Sequence, residues 1–196
     1  MSSIGKFKKT MFKVPLLGEG AVGKTTLVRA FMGGEMTSGE YKGTLGAEIG
    51  LKKLNLTTDK GEKIECQLQL WDLAGQPAFK AIRGTFYVGS VGAILVYDLS
   101  RTETLDKLDE WLKELNTAVA KPIPIALVGN KKDLRETGKT TLSTSEGKEK
   151  ASEITQKWSG FETPFVEASA IRREKADEPF ERLAMIIYEN VETLLR

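Results

Sequence analysis

Two continuous apolar runs, VGAILVYDL (91–99) and IPIALVGN (123–130), restrict the fold of this chain more than any other feature. Neither alternates polar with apolar residues, so each reads as a strand buried on both faces. Between them Leu105, Leu108, Leu112 and Leu115 recur at helical spacing, with Trp111 alongside. Strand, helix, strand in that order implies a right-handed crossover and two parallel strands. The alternation continues along the chain. TMFKVPLL (10–17) reads as a strand and KTTLVRAFMGG (24–34) as a helix stopped by two glycines. AEIGLKKLNLTT and EKIECQLQLWDL read as two strands around the turn Asp59-Lys60-Gly61. TPFVEAS (163–169) is the last strand, and Phe180, Leu183, Ala184, Ile187, Tyr188, Val191 and Leu195 repeat the helical pattern. The expected fold is α/β: a mostly parallel central six-stranded sheet, one antiparallel edge strand, and helices on both faces. No repeat, low-complexity tract or linker interrupts it. The expected division is a basic N-terminal extension over 1–9 and one domain over 10–196. The N-terminal lysines Lys6, Lys8, Lys9 and Lys13 read as solvated charges ahead of the first strand.

Composition removes several kinds of chemistry. The chain has no histidine and one cysteine, Cys66, which rules out Ser-His-Asp and Cys-His catalysis, an intrachain disulfide and a Cys/His metal centre. A single cysteine also fits an intracellular setting. Lys+Arg of 29 against Asp+Glu of 27 leaves no global footprint for nucleic acid or membrane. No run is long enough for a signal peptide or a membrane span. Chemistry must therefore rest on carboxylates, amides, hydroxyls, lysines and backbone N–H groups.

Directly after the first strand stands Gly18-Glu19-Gly20-Ala21-Val22-Gly23-Lys24-Thr25, which satisfies G-x-x-x-x-G-K-[ST]. Glycines let such a loop curl so that its N–H groups converge on a polyphosphate at the positive end of the next helix. Lys24 would reach the β- and γ-phosphates, and the Thr25 hydroxyl would ligate Mg²⁺. The plainer reading is a Gly-rich strand-to-helix turn. After the run IPIALVGN comes Asn130-Lys131-Lys132-Asp133, an N-K-x-D. A carboxylate there can accept from N1–H and the exocyclic amino group of guanine, a pair that adenine does not offer. Leaving that carboxylate unpaired is costly, so the wrong base is rejected. Asn130 can bind the ring edge and brace the loop, with the Lys131 stem along the base. A charged surface loop is the alternative for this stretch alone.

With these motifs in order, joined by Thr44 and Gly46 in YKGTLGAEIG, by WDLAGQ (71–76) and by EASA (167–170), the sequence resembles the Ras-superfamily small GTPases, closest to the Rab-like branch, over roughly residues 10–196. The resemblance implies a P-loop NTPase fold and a guanine-nucleotide switch with slow GTP hydrolysis. It implies that Thr44 ligates Mg²⁺ and senses the γ-phosphate, Asp72 holds Mg²⁺ through water, and the Gly75 N–H touches the γ-phosphate. Gln76 would orient the attacking water, with Lys24 as its catalytic partner. Ser169 and Ala170 would read the guanine oxygen, Ile171 would lie over the base, and Thr26 would complete the nucleotide set. Expected partners are GTP and GDP, effectors, exchange factors and GTPase-activating proteins, with no nucleic acid.

The chain departs from the family pattern at several places. Ile171 stands where a lysine usually covers the guanine face. The stretch from Thr25 to Thr44 is about one residue longer than in relatives, which puts Met36 near the place of an aromatic over the base. Pro77 and Ala78 replace the residues after Gln76, and the proline biases Gln76 to extended conformations. No cysteine ends VETLLR and Ser2 replaces glycine, so neither prenylation nor N-myristoylation is expected. The expected location is cytoplasmic, with at most weak electrostatic contact at a membrane surface. No arginine lies between Gly33 and Lys53, so an external activator is expected to supply one. Phe79, Ile82, Phe86 and Tyr87 are candidates for the partner surface, or pack beneath their helix. Two rival functions stay open at this point: an adenine-nucleotide ATPase or kinase, and a module that binds GTP with little or no hydrolysis. A GTPase domain cut from a larger signalling chain is a third variant.

Overall fold

The computed structural model describes residues 11–34, 46–58, 61–73, 75, 80–191 and 194. In chain order the elements are β1 (Met11–Leu17), α1 (Lys24–Met32), β2 (Ala47–Thr57), β3 (Lys63–Leu73), α2 (Lys80–Tyr87), β4 (Ala93–Asp98), α3 (Thr102–Asp106) and α4 (Leu108–Ala118). There follow β5 (Ile125–Asn130), a 3-10 helix (Lys132–Thr137), α5 (Thr144–Ile154) running into a π-helical turn (Thr155–Ser159), β6 (Phe165–Glu167) and α6 (Glu178–Glu189).

The two apolar runs behave as their composition requires: every residue of β4 and of β5 is buried. They pair in parallel from Ala93–Ile125 to Asp98–Asn130. The sheet order is β2-β3-β1-β4-β5-β6, parallel except for β2, which runs antiparallel to β3 at the edge. β3 is inner and alternates, burying Ile64, Cys66, Leu68 and Leu70, whereas the edge strand β2 buries only Leu54. Burial pushes the Cys66 thiol up to about 11, so it stays protonated and serves as a small apolar group.

Helices cover the sheet through the predicted stripes. α4 buries Leu108, Trp111, Leu112 and Leu115, and α6 buries Phe180, Leu183, Ala184 and Ile187. Val191 is also buried and Tyr188 is half-buried, while Leu195 lies outside the described residues. Phe31 of α1 stacks on Phe180 of α6 with ring centroids 4.1 Å apart, which locks those helices together.

Three local details differ from the sequence reading. The leucine-rich stretch is two helices, because the Glu110 N–H bonds to the Lys107 carbonyl three residues back (3.1 Å) and tightens the chain there. The last strand shrinks to three residues, since Ser169 leaves the β5 ladder to pair with Glu174. α5 has no counterpart among the expected elements. It opens with a capping box in which Ser143 accepts from the Glu146 N–H and Glu146 accepts from the Ser143 N–H (2.7 Å).

Candidate functional site

The carboxyl ends of the parallel strands deliver the site, as open α/β sheets generally do. The loop 18–23 follows β1, Asp72 lies at the end of β3, Asp98 ends β4, Asn130 ends β5, and Ser169 to Ile171 follow β6.

In the phosphate loop Lys24 is buried, and its ammonium donates to the carbonyls of Gly18 (2.6 Å) and Glu19 (3.0 Å). Burial pushes its pKa down to about 8 against the opposing pull of Asp72. Next to it the Thr25 hydroxyl donates to the Asp72 carboxylate at 2.5 Å, and Asp72 is itself buried. A hydroxyl and a carboxylate so close supply two hard oxygen donors. Among the described residues no cluster of three or more His, Cys, Asp or Glu could hold a metal. That small donor set suits Mg²⁺, which keeps waters and takes phosphate oxygens from a nucleotide.

Asn130 joins the two halves of the site. Its amide donates to the Val22 carbonyl of the phosphate loop (2.9 Å) and accepts from the Ala170 N–H (3.1 Å). Gly23 makes room for it. A Cβ at that position would sit 2.3 Å from the Asn130 amide nitrogen, and the φ of +98° is one that side chains rarely adopt. Asp133, 6% exposed, accepts from the Ser169 hydroxyl at 2.6 Å. Gly23, Thr26, Asn130, Asp133, Ala170 and Ile171 line one cavity of about 270 Å³. Ile171 is 61% exposed, which puts it at the rim and not in the floor. Lys131 adopts the left-handed conformation (φ +67°) and pairs with Asp98 at 2.7 Å.

Gly75 lies hard against the phosphate loop, where a Cβ would be 2.7 Å from backbone atoms of Gly18, Glu19 and Gly20. Thr44, Gln76, Pro77, Ala78, Met36 and Phe79 lie outside the described residues, as do Lys6, Lys8 and Lys9. Of the partner-surface candidates, Tyr87 is fully buried and belongs to the core, whereas Ile82 is 47% exposed. Phe86 is half-buried and packs on Trp71 with centroids 5.8 Å apart.

Several long-range contacts around the site have no counterpart in the sequence reading. Glu19 accepts from the Trp111 indole N–H (3.2 Å) and the Lys107 ammonium (3.3 Å). Arg83 of α2 is buried over the Trp111 ring and forks onto Glu114 of α4 (2.8 and 2.9 Å). Arg101 donates to the Gly20 carbonyl at 3.0 Å. No local pattern marks these contacts, because the partners lie tens of positions apart in the sequence.

The sequence model of the Ras family matches residues 13–189. The chain is 38% identical over 178 residues to Ras-related protein Rab11E of Lotus japonicus, covering 91% of this chain and 75% of that protein. It is 35% identical over 181 residues to Ras-related protein RABA4b of Arabidopsis thaliana, covering 92% and 74%. Against Ras-related protein rab-11.1 of Caenorhabditis elegans the identity is 34% over 181 residues, covering 92% and 79%. A family match over most of the chain, together with relatives at this identity over nine-tenths of it, shows that the chain belongs to the Ras family as a small GTPase of the Rab branch.

Proposed function

We propose that this GTPase holds GTP or GDP with Mg²⁺ in the site described above, and that loss of the γ-phosphate changes its partner-binding surface. The observation that carries this reading is the double engagement of Asn130, whose one amide touches both the phosphate loop and the loop beside Asp133. A single ligand spanning that junction needs a polyphosphate at one end and a guanine-like edge at the other. Gly18 to Thr26 bind the phosphates, and Asn130, Lys131, Asp133, Ser169, Ala170 and Ile171 hold the base. Bound Mg²⁺, on Thr25, Thr44 and (through water) Asp72, would neutralise charge on the phosphate oxygens. Lys24 adds a positive charge beside the transferred group. Gln76 aims a water at the γ-phosphorus, the bond to the β–γ bridging oxygen breaks, and GDP and phosphate result. Thr44 and Gly75 then lose their γ-phosphate contacts and the two switch segments loosen.

On its place in the Rab branch we assign the switch to membrane trafficking or signalling, with effectors, exchange factors and activating proteins as partners. Among the described residues no helix is long and apolar enough to cross a membrane. We assign a cytoplasmic location, with weak electrostatic contact at anionic lipid through the N-terminal lysines.

The test is to identify the nucleotide that co-purifies with the chain and to follow single-turnover GTP hydrolysis with and without Mg²⁺. GDP or GTP is expected, with ADP competing at least about 10²-fold less well, and Asp133→Ala abolishing that preference. Bound ADP or ATP would overturn the reading. Pro77, directly after Gln76, favours one alternative: a module that binds GTP and scarcely turns it over. Equal hydrolysis rates for the parent and Gln76→Leu would remove the catalytic role of Gln76, and negligible turnover by both would establish that alternative.

A further inference from the structure

Asp98 ends β4 beside Asn130, and its side chain is 2% exposed. One oxygen accepts from the Ser100 N–H (2.9 Å) and hydroxyl (2.7 Å). The other accepts from the Lys131 ammonium (2.7 Å) and from Nε of Arg101 (3.2 Å). An ionised carboxylate offers about four acceptor sites, so this one is filled. Arg101 uses a second nitrogen, Nη2, to donate to the Gly20 carbonyl at 3.0 Å. One guanidinium therefore spans two elements of the nucleotide site that are far apart in sequence. Its planar fork presents two separate nitrogens in fixed geometry, one to each partner, where a lysine offers a single ammonium.

The Gly20 carbonyl and the Ala21 N–H belong to one planar trans peptide and point in opposite directions. Holding the carbonyl on Arg101 turns the Ala21 N–H away from Arg101. Ala21 itself has a φ of +63°, a conformation that needs support in a residue with a side chain. A Cβ at Gly20 would meet nothing within 4 Å, so little packing holds this part of the loop.

We propose that Arg101 is a positioning residue of the nucleotide site: it fixes the Gly20–Ala21 peptide with its N–H toward the phosphates, and through Asp98 it ties that peptide to Lys131 in the base-binding loop. This rests on the reading of the site as a guanine-nucleotide site. Lys131 and Arg101 share one oxygen, so a shift of either moves the anchor of the other. Retention of the nucleotide then depends on both ends of the ligand being gripped together.

The experiment measures dissociation of a fluorescent GDP from the Mg²⁺-loaded full chain and its variants, with thermal melting as a check on folding. Arg101→Ala is expected to release GDP on the order of tenfold faster, about what one charge-assisted hydrogen bond is worth. Arg101→Lys, which offers a single ammonium in place of the two nitrogens, should fall between it and the parent. Arg182→Ala, which breaks a surface pair with Glu178 on α6, should match the parent. Combined with Lys131→Ala, the Arg101→Ala effect should shrink at least about threefold, because the two share Asp98. The proposal is overturned by Arg101→Ala rates within twofold of the parent, or by strict additivity with Lys131→Ala. A parent chain that retains no guanine nucleotide is a different result: it overturns the reading of the site itself.

Discussion

A methyl group on Gly75 would lie 2.7 Å from three backbone atoms, the Gly18 oxygen, the Glu19 carbonyl carbon and the Gly20 nitrogen. Backbone cannot yield as the tip of a flexible side chain can, so the segment would have to retreat from the phosphate loop. At Gly20 the same methyl meets open space. Gly75→Ala should therefore cost the nucleotide-free chain about 1–3 kcal/mol through overpacking. Gly20→Ala should stay within about 0.5 kcal/mol. Urea denaturation reads both, and equal losses would show that Gly75 does not press on the loop. At this scale the motif residues were legible, because a phosphate loop and an N-K-x-D need fixed residue types at fixed spacing. Arg101 was not, nor was the contact between Glu19 and Trp111. Trp111 reads correctly as part of an apolar helical stripe, but nothing in that stripe says its indole N–H meets a carboxylate 92 positions away.

Between elements, the contact of α2 with α4 depends on a polar cluster in an otherwise apolar layer. Glu114 accepts two hydrogen bonds from Arg83 and one from the Tyr87 hydroxyl (2.9 Å). Burial pushes the Tyr87 phenol well up, with the Glu114 charge adding to it, so Tyr87 remains a neutral donor. Removing a partner from a buried ion pair costs far more than the pair itself contributes, since the remaining charge keeps its desolvation penalty. Glu114→Ala should then destabilise by about 3–5 kcal/mol, and Glu114→Gln, which keeps an acceptor, by less. Chemical denaturation measures the loss, and hydrogen exchange should show α2 amides opening first. A loss below about 1 kcal/mol would mean that the cluster contributes no more than a surface pair does. The helices themselves were readable where an apolar stripe repeats. α5 is hard to read from sequence because its stripe is thin, with Gly147, Ala151 and Ile154 as its buried residues. The Ser143-x-x-Glu146 box was the available signal. The break at Lys107 left no mark in the leucine spacing.

For the whole molecule, the mostly parallel sheet follows from the alternation of strands and helices and its antiparallel edge from the hairpin of β2 and β3, whereas the strand order is visible only in the structure. What pattern does not carry is the set of long-range charges that ties the strand ends together, and acid is the condition that tests them. Glu167 of β6 is forked by Arg135 at 2.6 and 2.7 Å and accepts from the Thr144 hydroxyl at 3.1 Å. Burial alone would raise its pKa, but Arg135 and Thr144 outweigh burial and hold it below the usual 4.5. Asp98 behaves alike: burial raises it, and its bonds from Lys131 and Ser100 bring it below the usual 3.8. A carboxylate depressed in the folded state binds its proton more weakly there than in the unfolded chain. Its stabilisation is thus complete above the unfolded pKa and disappears as pH falls through the folded one. Stability of the nucleotide-free chain should be flat in this respect above about pH 5 and fall below it. Each such group contributes at most about 1.4 kcal/mol per pH unit. Glu167→Gln should lower stability at neutral pH and flatten the acid limb by up to one such group, while leaving the Asp98 share in place. Urea denaturation at a series of pH values from 3 to 7 gives both slopes. Parallel acid limbs for parent and Glu167→Gln would show that Arg135 does not hold Glu167 ionised, and that the 3-10 helix carrying Asp133 is fastened to β6 by something other than this fork.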